Sequence, residues 1–352
     1  MPSERRKAFI LGAGFTRAFL PSAPLLTDDY DSAKLLEQFK NLPNALRILD
    51  LETRASKGKL NIERLMTRLD GRMPYDSSLG AEEELALLLK AVKKAFATKL
   101  EEAKRAPRNH ALITFARYCI HNPVNCITFN YDDVLDQALW EVTRASDDFA
   151  QTPYWHPDGG YGFFLQSSFS CVANTISFKD QTSMALIKLH GSMNWRVKRG
   201  HPKPYVIDAV VHHESWLPQP VRFRGAGDRT QEIEMHLDGE PFIVPPVLVK
   251  AALVEQPILK LTWSLAYETL QAAEEVVFVG YSLPRTDIAS SFLFREALSL
   301  LPIDRLRVVN LASTDEEKTA IRTAYREIFP EMADDQFDFR GALEWAMELP
   351  AP

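Results

Sequence analysis

The chain has few cysteines: only Cys119, Cys126 and Cys171 among 352 residues. An odd count with no CxxC spacing argues against a disulfide framework and against a four-cysteine zinc module. The thiols are expected to be reduced, as in the cytosol. No apolar run approaches the roughly 20 residues of a membrane span. The start, Met1–Lys7, is polar and basic, and the apolar run Ala8–Leu11 breaks at once into Gly12-Ala13-Gly14, unlike a secretory leader. A cytoplasmic protein with no membrane partner is expected. Basic charge is also short: 41 Lys and Arg stand against 47 Asp and Glu, a net charge of −6, so a nucleic-acid partner is not directly indicated, although a local basic groove is compatible. Internal repeats and low-complexity tracts are absent.

What is present suits an ordinary globular protein, with 46% hydrophobic and 25% charged residues. Short apolar runs bounded by glycine or polar residues read as buried strands at 8–11, 124–129, 185–189, 275–279 and 306–309. Helical spacing appears between them. Ile62, Leu65, Met66 and Leu69 share one face behind a capping Asn61, and Leu85, Leu88, Leu89, Val92, Phe96 and Leu100 share another. Val134, Leu135, Ala138, Leu139 and Val142 form a third such face. Further helices are predicted over 257–273 and 287–300, and from the capping-box start Thr314-Asp315-Glu316-Glu317. The expectation is a single α/β domain over 1–352, a Rossmann-like, mostly parallel sheet with helices on both faces. It carries a helical insertion at 32–118, an irregular insertion at 146–245, in which 146–184 reads as loops with one short hairpin, and C-terminal helices at 315–352.

In such folds ligands bind beyond the carboxyl ends of the strands. Each residue of chemical interest here follows a predicted strand directly. Gly12-Ala13-Gly14-Phe15-Thr16 resembles half of a dinucleotide fingerprint, with Arg17 where GxGxxG has its third glycine, and an ordinary glycine turn is the alternative. Asn130 and Asp132 offer hydrogen-bonding groups, or serve only as a helix cap. His190, before Gly191, is placed as a general base or as a structural histidine bonded to backbone. Gly280 and Ser282 suit a phosphate and Asn310 a ribose hydroxyl, or all three are turn chemistry. Asp287 reads as a helix cap, and His212-His213-Glu214 as a solvated loop rather than a metal site.

Taken in chain order, these elements resemble the sirtuin family. Gly12-Ala13-Gly14 with Thr16 is similar to its glycine turn, Asn130-Tyr131-Asp132 to its Asn-x-Asp element, and His190-Gly191 to its catalytic pair. Gly280-Tyr281-Ser282 is similar to its phosphate-holding Gly-Thr-Ser, and Asn310 to its ribose-binding asparagine. Two departures stand out. The four-cysteine zinc module is missing, and Phe19–Leu26 reads FLPSAPLL where the deacylases carry Gly-Ile-Pro-Asp-Phe-Arg. The wordings TFNYD, KLHGSMNW and GYSLPRTD look like the bacterial sirtuin-like branch. That resemblance implies an NAD glycohydrolase (NADase) acting in defence against phage, NAD as substrate, no metal, a homo-oligomer and a regulatory protein partner. It implies Asn130, His190 and Asp132 as catalytic residues, and Gly12, Ala13, Gly14, Phe15, Thr16, Gly280, Ser282 and Asn310 as the NAD cradle. A non-catalytic NAD or ADP-ribose sensor, an NAD-dependent protein deacylase and a hydride-transfer dehydrogenase are the alternatives.

Overall fold

The computed structural model describes residues 6–25, 28, 30, 32–56, 60–70, 81–106, 109–145, 155, 160–162, 183–197, 207–210, 223–224, 230–231, 240–243, 257–284 and 287–350. Cys171 and the His212-His213-Glu214 cluster lie outside them. In chain order the elements begin with β1 (Lys7–Leu11), α1 (Ala13–Phe19), α2 (Ser32–Gln38), α3 (Pro43–Ala55), α4 (Ile62–Asp70), α5 (Glu82–Lys104) and α6 (His110–His121). There follow β2 (Val124–Thr128), α7 (Val134–Arg144), β3 (Leu186–Lys188), β4 (Gly191–Val197), β5 (Ile207–Val210), β6 (Phe223–Arg224), β7 (Thr230–Gln231) and β8 (Glu240–Ile243). The chain then runs through α8 (Pro257–Gln271), β9 (Glu275–Val279), α9 (Ile288–Ala297), β10 (Leu306–Val309), α10 (Asp315–Arg326), β11 (Phe337–Asp338) and α11 (Ala342–Met347).

Six strands form one sheet in the order β11-β10-β9-β1-β2-β3, and every pairing is parallel. The chain builds outward from β1 to β2 and β3, then returns to the other side of β1 with β9, β10 and β11. This is the doubly wound order, and its reversal point lies between β1 and β9. The fold class is therefore α/β, Rossmann-like, with helices on both faces.

Both faces of the central strands are buried, so their sequences are continuously apolar rather than alternating. Phe9, Leu11, Val277 and Val279 join one core with α6, α7 and Trp345 of α11. Ala8, Ile10, Val276 and Phe278 point the other way, into a core with α8, α9 and Tyr325 of α10. The helices α2–α5 enclose a third core that also takes in Tyr131, Met193 and Ile243, so this block rests against the loop after β2 and against β4 and β8. Capping follows the sequence signals. Asn61 accepts the Arg64 N–H at 3.0 Å, Thr314 and Glu317 make a reciprocal capping box, and Asp287 accepts the Ser290 N–H.

Two features have no clear sequence signal. Strand β4 starts at Gly191 and pairs antiparallel with β5 and β8 in a separate three-stranded sheet. Strand β11 has only two residues, too short for a period-2 pattern, yet it adds a sixth parallel strand within the C-terminal helical region. Among the described residues no helix is long and apolar enough to cross a membrane.

Candidate functional site

Because all six strands are parallel, their carboxyl ends share one edge of the sheet. In strand order the loops there carry Asn310 (after β10), Gly280–Ser282 (β9), Gly12–Thr16 (β1), Asn130–Asp132 (β2) and His190 (β3). Four strand spacings of 4.7–4.9 Å set these five loops along about 19 Å.

The glycines lock the two loops at the reversal point. The Gly12 N–H donates to the Val279 carbonyl at 3.1 Å, and the Gly14 N–H to the Gly280 carbonyl at 2.9 Å. A Cβ on Gly12 would lie 2.5 Å from the Gly280 oxygen. Gly280 has φ +61°, and a Cβ there would lie 2.0 Å from the Phe15 nitrogen. The space that these glycines leave is thus filled by backbone of the opposite loop. Gly14 and Ala13 are exposed on the edge, and so is Ser282. The Phe15 ring is not on the edge: it packs 4.9 Å from both Phe19 and Phe115, in the core. Only its backbone faces the turn.

Asn130, Thr16 and Asp132 form a hydrogen-bonded chain. The Asn130 amide nitrogen donates to the Gly12 carbonyl at 2.8 Å and to the Thr16 hydroxyl at 3.0 Å. The Thr16 hydroxyl donates to Asp132 Oδ2 at 2.8 Å, and Asp132 Oδ1 accepts the Val134 N–H at 3.1 Å. Burial pushes the Asp132 carboxyl above the usual range, opposed by the Lys188 ammonium and the Thr16 bond. Both N–H groups of Asn130 are used in this way, which leaves its carbonyl oxygen as an acceptor. The residue keeps 9% of its surface exposed. Asp133 takes the helix N-cap position but makes no capping bond; it pairs with Lys104 at 2.8 Å.

Thr16→Val keeps the volume but strands the Asn130 donor and the Asp132 acceptor. It is expected to lower stability by about 1–3 kcal/mol, whereas Thr16→Ser keeps the hydroxyl and loses less. Urea midpoints of the two variants measure the difference.

His190 sits among three rings: Phe129 at 5.4 Å edge-on, Tyr131 at 5.9 Å stacked, and Trp263 at 6.4 Å. It is 3% exposed. The Trp263 indole N–H donates to the Leu189 carbonyl at 2.9 Å, fixing the strand end before the histidine. Phe129 also stacks on Tyr281 at 4.6 Å, which links the His190 side of the edge to the β9 loop. The Asn310 amide donates to the Tyr281 carbonyl at 2.9 Å, and the Tyr325 hydroxyl donates to the same oxygen at 2.7 Å. Leu283 has φ +51°, an uncommon conformation for a residue with a branched side chain.

The structure therefore joins Gly12, Gly14, Thr16, Asn130, Asp132 and Gly280 by direct bonds and brings in His190 and Asn310 through Phe129 and Tyr281. Trp263 contributes through its bond to the Leu189 carbonyl, Lys188 through a 2.7 Å bond from its ammonium to the Asp132 carbonyl, and Asp136 through its 3.0 Å ion pair with Lys188, and sequence reasoning gave them no role. No motif marks a helix tryptophan or a strand lysine, because their partners are distant in the chain. Two surface clefts lie elsewhere. One is lined by Ala273, Glu274, Leu301 and Arg305, the other by Lys7, Glu275, Arg307 and Asp335. Among the described residues no group of three or more His, Cys, Asp or Glu side chains is placed to hold a metal ion.

No family model and no curated protein matches the sequence. Among solved structures the chain is similar to a Sir2 homologue–NAD complex, at 12% identity over 93% of this chain and 91% of that chain, with a TM-score of 0.40. It is similar to a structure described as the basis for the mechanism and regulation of Sir2 enzymes, at 14% identity over 98% and 90%, TM-score 0.38. A third similarity is to a mutant Sir2 homologue in complex with ADP-ribose, at 11% identity over 94% and 96%, TM-score 0.34. Likeness at this level carries no functional argument, so the weight falls on the geometry of the strand ends.

Proposed function

We propose that this protein is an NAD glycohydrolase that cleaves the nicotinamide–ribose bond to give nicotinamide and ADP-ribose. The observation that carries the reading is the order of groups along the sheet edge. Asn310, the Gly280–Ser282 and Gly12–Thr16 pair, Asn130 with Asp132, and His190 follow one another strand by strand. A dinucleotide laid across the reversal point would meet them as adenosine ribose, pyrophosphate, nicotinamide ribose and reacting carbon. The resemblance of TFNYD and KLHGSMNW to sirtuin-like NAD hydrolases supports the same assignment.

The chemistry asks little of the protein beyond positioning. The nicotinamide ring nitrogen carries a positive charge, so it leaves with the electron pair of the breaking C–N bond and becomes neutral. Positive charge then develops on the ribose, as in other glycosyl transfers. In this proposal the Asn130 carbonyl oxygen and the Asp132 carboxylate face that charge. Water adds to the anomeric carbon and gives up one proton, which His190 accepts either directly or by relay through a ribose hydroxyl. The exposed Ala13, Gly14 and Ser282 border the pyrophosphate, Gly12, the Phe15 backbone, Thr16 and Gly280 shape the turn behind it, and Asn310 fixes the adenosine ribose. No metal is required for this sequence of steps.

A second reading has one observation in its favour. The burial of His190 among three rings suits a structural histidine, and hence a sensor that holds NAD without turnover. Incubation of purified protein with NAD, followed by chromatography, separates the readings. Free nicotinamide and ADP-ribose in equal amounts are expected, without added acyl-lysine peptide. Bound but intact NAD would favour the sensor, and peptide-dependent release would favour a deacylase.

Unchecked NAD cleavage is toxic, so the activity is proposed to be restrained by homo-oligomer assembly or a regulatory protein, in keeping with a role in defence against phage. Helix α5 touches the Asn130–Asp133 loop through Phe96–Tyr131 ring contact at 6.0 Å and the Lys104–Asp133 ion pair. The helical block is the route by which such control would reach the site.

A further inference from the structure

Beneath the strand-end loops lies a closed ring of five side chains. Lys188 Nζ meets Asp136 Oδ2 at 3.0 Å, and Asp136 Oδ1 accepts the Tyr161 hydroxyl at 2.5 Å. The Asn194 amide donates to the Tyr161 oxygen at 3.2 Å, the Ser192 hydroxyl donates to Asn194 Oδ1, and Lys188 Nζ donates to Ser192 Oγ at 2.6 Å. All five are buried, none more than 1% exposed. An ammonium group has three donors. The third reaches out of the ring to the Asp132 backbone carbonyl at 2.7 Å.

This arrangement is costly as a stability device. Removing two ions from water carries a penalty of several kcal/mol per ion, and a well-packed apolar set is often at least as stable. What an apolar set lacks is a directed N–H. Here Lys188 and Ser192 flank His190, so their bond closes the turn that carries the imidazole, and the same ammonium holds the Asn130–Asp132 loop. We propose that Lys188 is a positioning residue, which fixes the His190 turn against the Asp132 loop through the buried ring. The proposal rests on the NAD-cleaving reading for its catalytic consequence, but not for its structural one.

Lys188→Met alone would leave Asp136 charged and unpaired in the core and is liable not to fold. The test uses Lys188→Met/Asp136→Asn, which removes both charges and keeps an acceptor for Tyr161. Two readouts are taken below the melting temperature. The double variant is expected to lose roughly 10²-fold in kcat with KM little changed, since misplacing catalytic groups by about 1 Å has effects of that order. Amide exchange over 129–134 and 188–192 is expected to quicken while the β1 and β9 amides stay protected. An unchanged kcat, in a wild-type enzyme that cleaves NAD, would overturn the catalytic role. Unchanged exchange in both loops would overturn the positioning claim itself. If the wild type leaves NAD intact, the functional reading fails and exchange alone decides the positioning claim.

Discussion

His190→Ala is expected to reduce NAD turnover by roughly 10²–10⁴-fold, the usual contribution of one positioned base. The loss should appear in kcat and kcat/KM alike, because proton acceptance matters only in the transition state. The imidazole also fills space among Phe129, Tyr131 and Trp263, so alanine leaves a hole. His190→Gln keeps most of the volume and should show the same kinetic loss with a smaller drop in stability. Asn130→Ala removes the acceptor oxygen and the bonds to Gly12 and Thr16, and a loss of roughly 10²–10³-fold is expected for one preorganised polar group. Nicotinamide release measures all three variants against the wild type. Full activity in both His190→Ala and Asn130→Ala would remove the site assignment altogether.

Gly280→Ala is expected to have the largest effect on stability. Its Cβ would fall 2.0 Å from the Phe15 nitrogen and 2.4 Å from the Gly14 carbonyl carbon, and backbone atoms cannot swing aside as a side chain can. Positive φ adds strain. A cost on the order of 3–5 kcal/mol follows from overpacking together with strain. That is a large share of the 5–15 kcal/mol that holds a typical domain. Gly341→Ala is the control for strain alone. Its φ is +96° with ψ +167°, a region open essentially to glycine, but the nearest atom to a Cβ is a Leu311 side-chain carbon at 3.3 Å, so about 1–3 kcal/mol is expected. Denaturant midpoints compare the two. A Gly280→Ala variant no less stable than Gly341→Ala would show that the two loops at the reversal point do not pack as described.

The parts of this fold that were legible in the sequence are those governed by local rules. Apolar runs such as Ala8–Leu11 and Glu275–Val279 end at glycine because a buried parallel strand must turn sharply at the edge of the sheet, and each became a strand of the main sheet. Asn61, Asp287 and Thr314 act within three residues of their own positions, so their capping roles could be read directly. Contacts between distant segments were not legible in the same way. Gly12 and Gly280 are far apart in sequence, and the pattern suggested room for phosphate where the fold places one loop's backbone against the other. Phe15 has its place in the glycine turn by spacing alone, while its ring belongs to the core. The Lys188 ring draws on Tyr161, Asp136 and Asn194 from separate elements, and no local periodicity links such residues. Strand β4 begins at Gly191, directly after His190, with residues that are polar and apolar by turns yet buried throughout 191–195, because two faces are covered and Ser192 and Asn194 are satisfied inside the ring.

The central claim is that one dinucleotide lies across the carboxyl edge of the sheet, with its scissile bond over β2 and β3. A crystal structure of His190→Ala grown with NAD tests this most directly. Continuous density is expected from Asn310 past Gly14 and Ser282 to Asn130, with the nicotinamide ribose within hydrogen-bond reach of the Asn130 oxygen. Density for the dinucleotide at any other surface, or with its nicotinamide end turned toward β10, would contradict it.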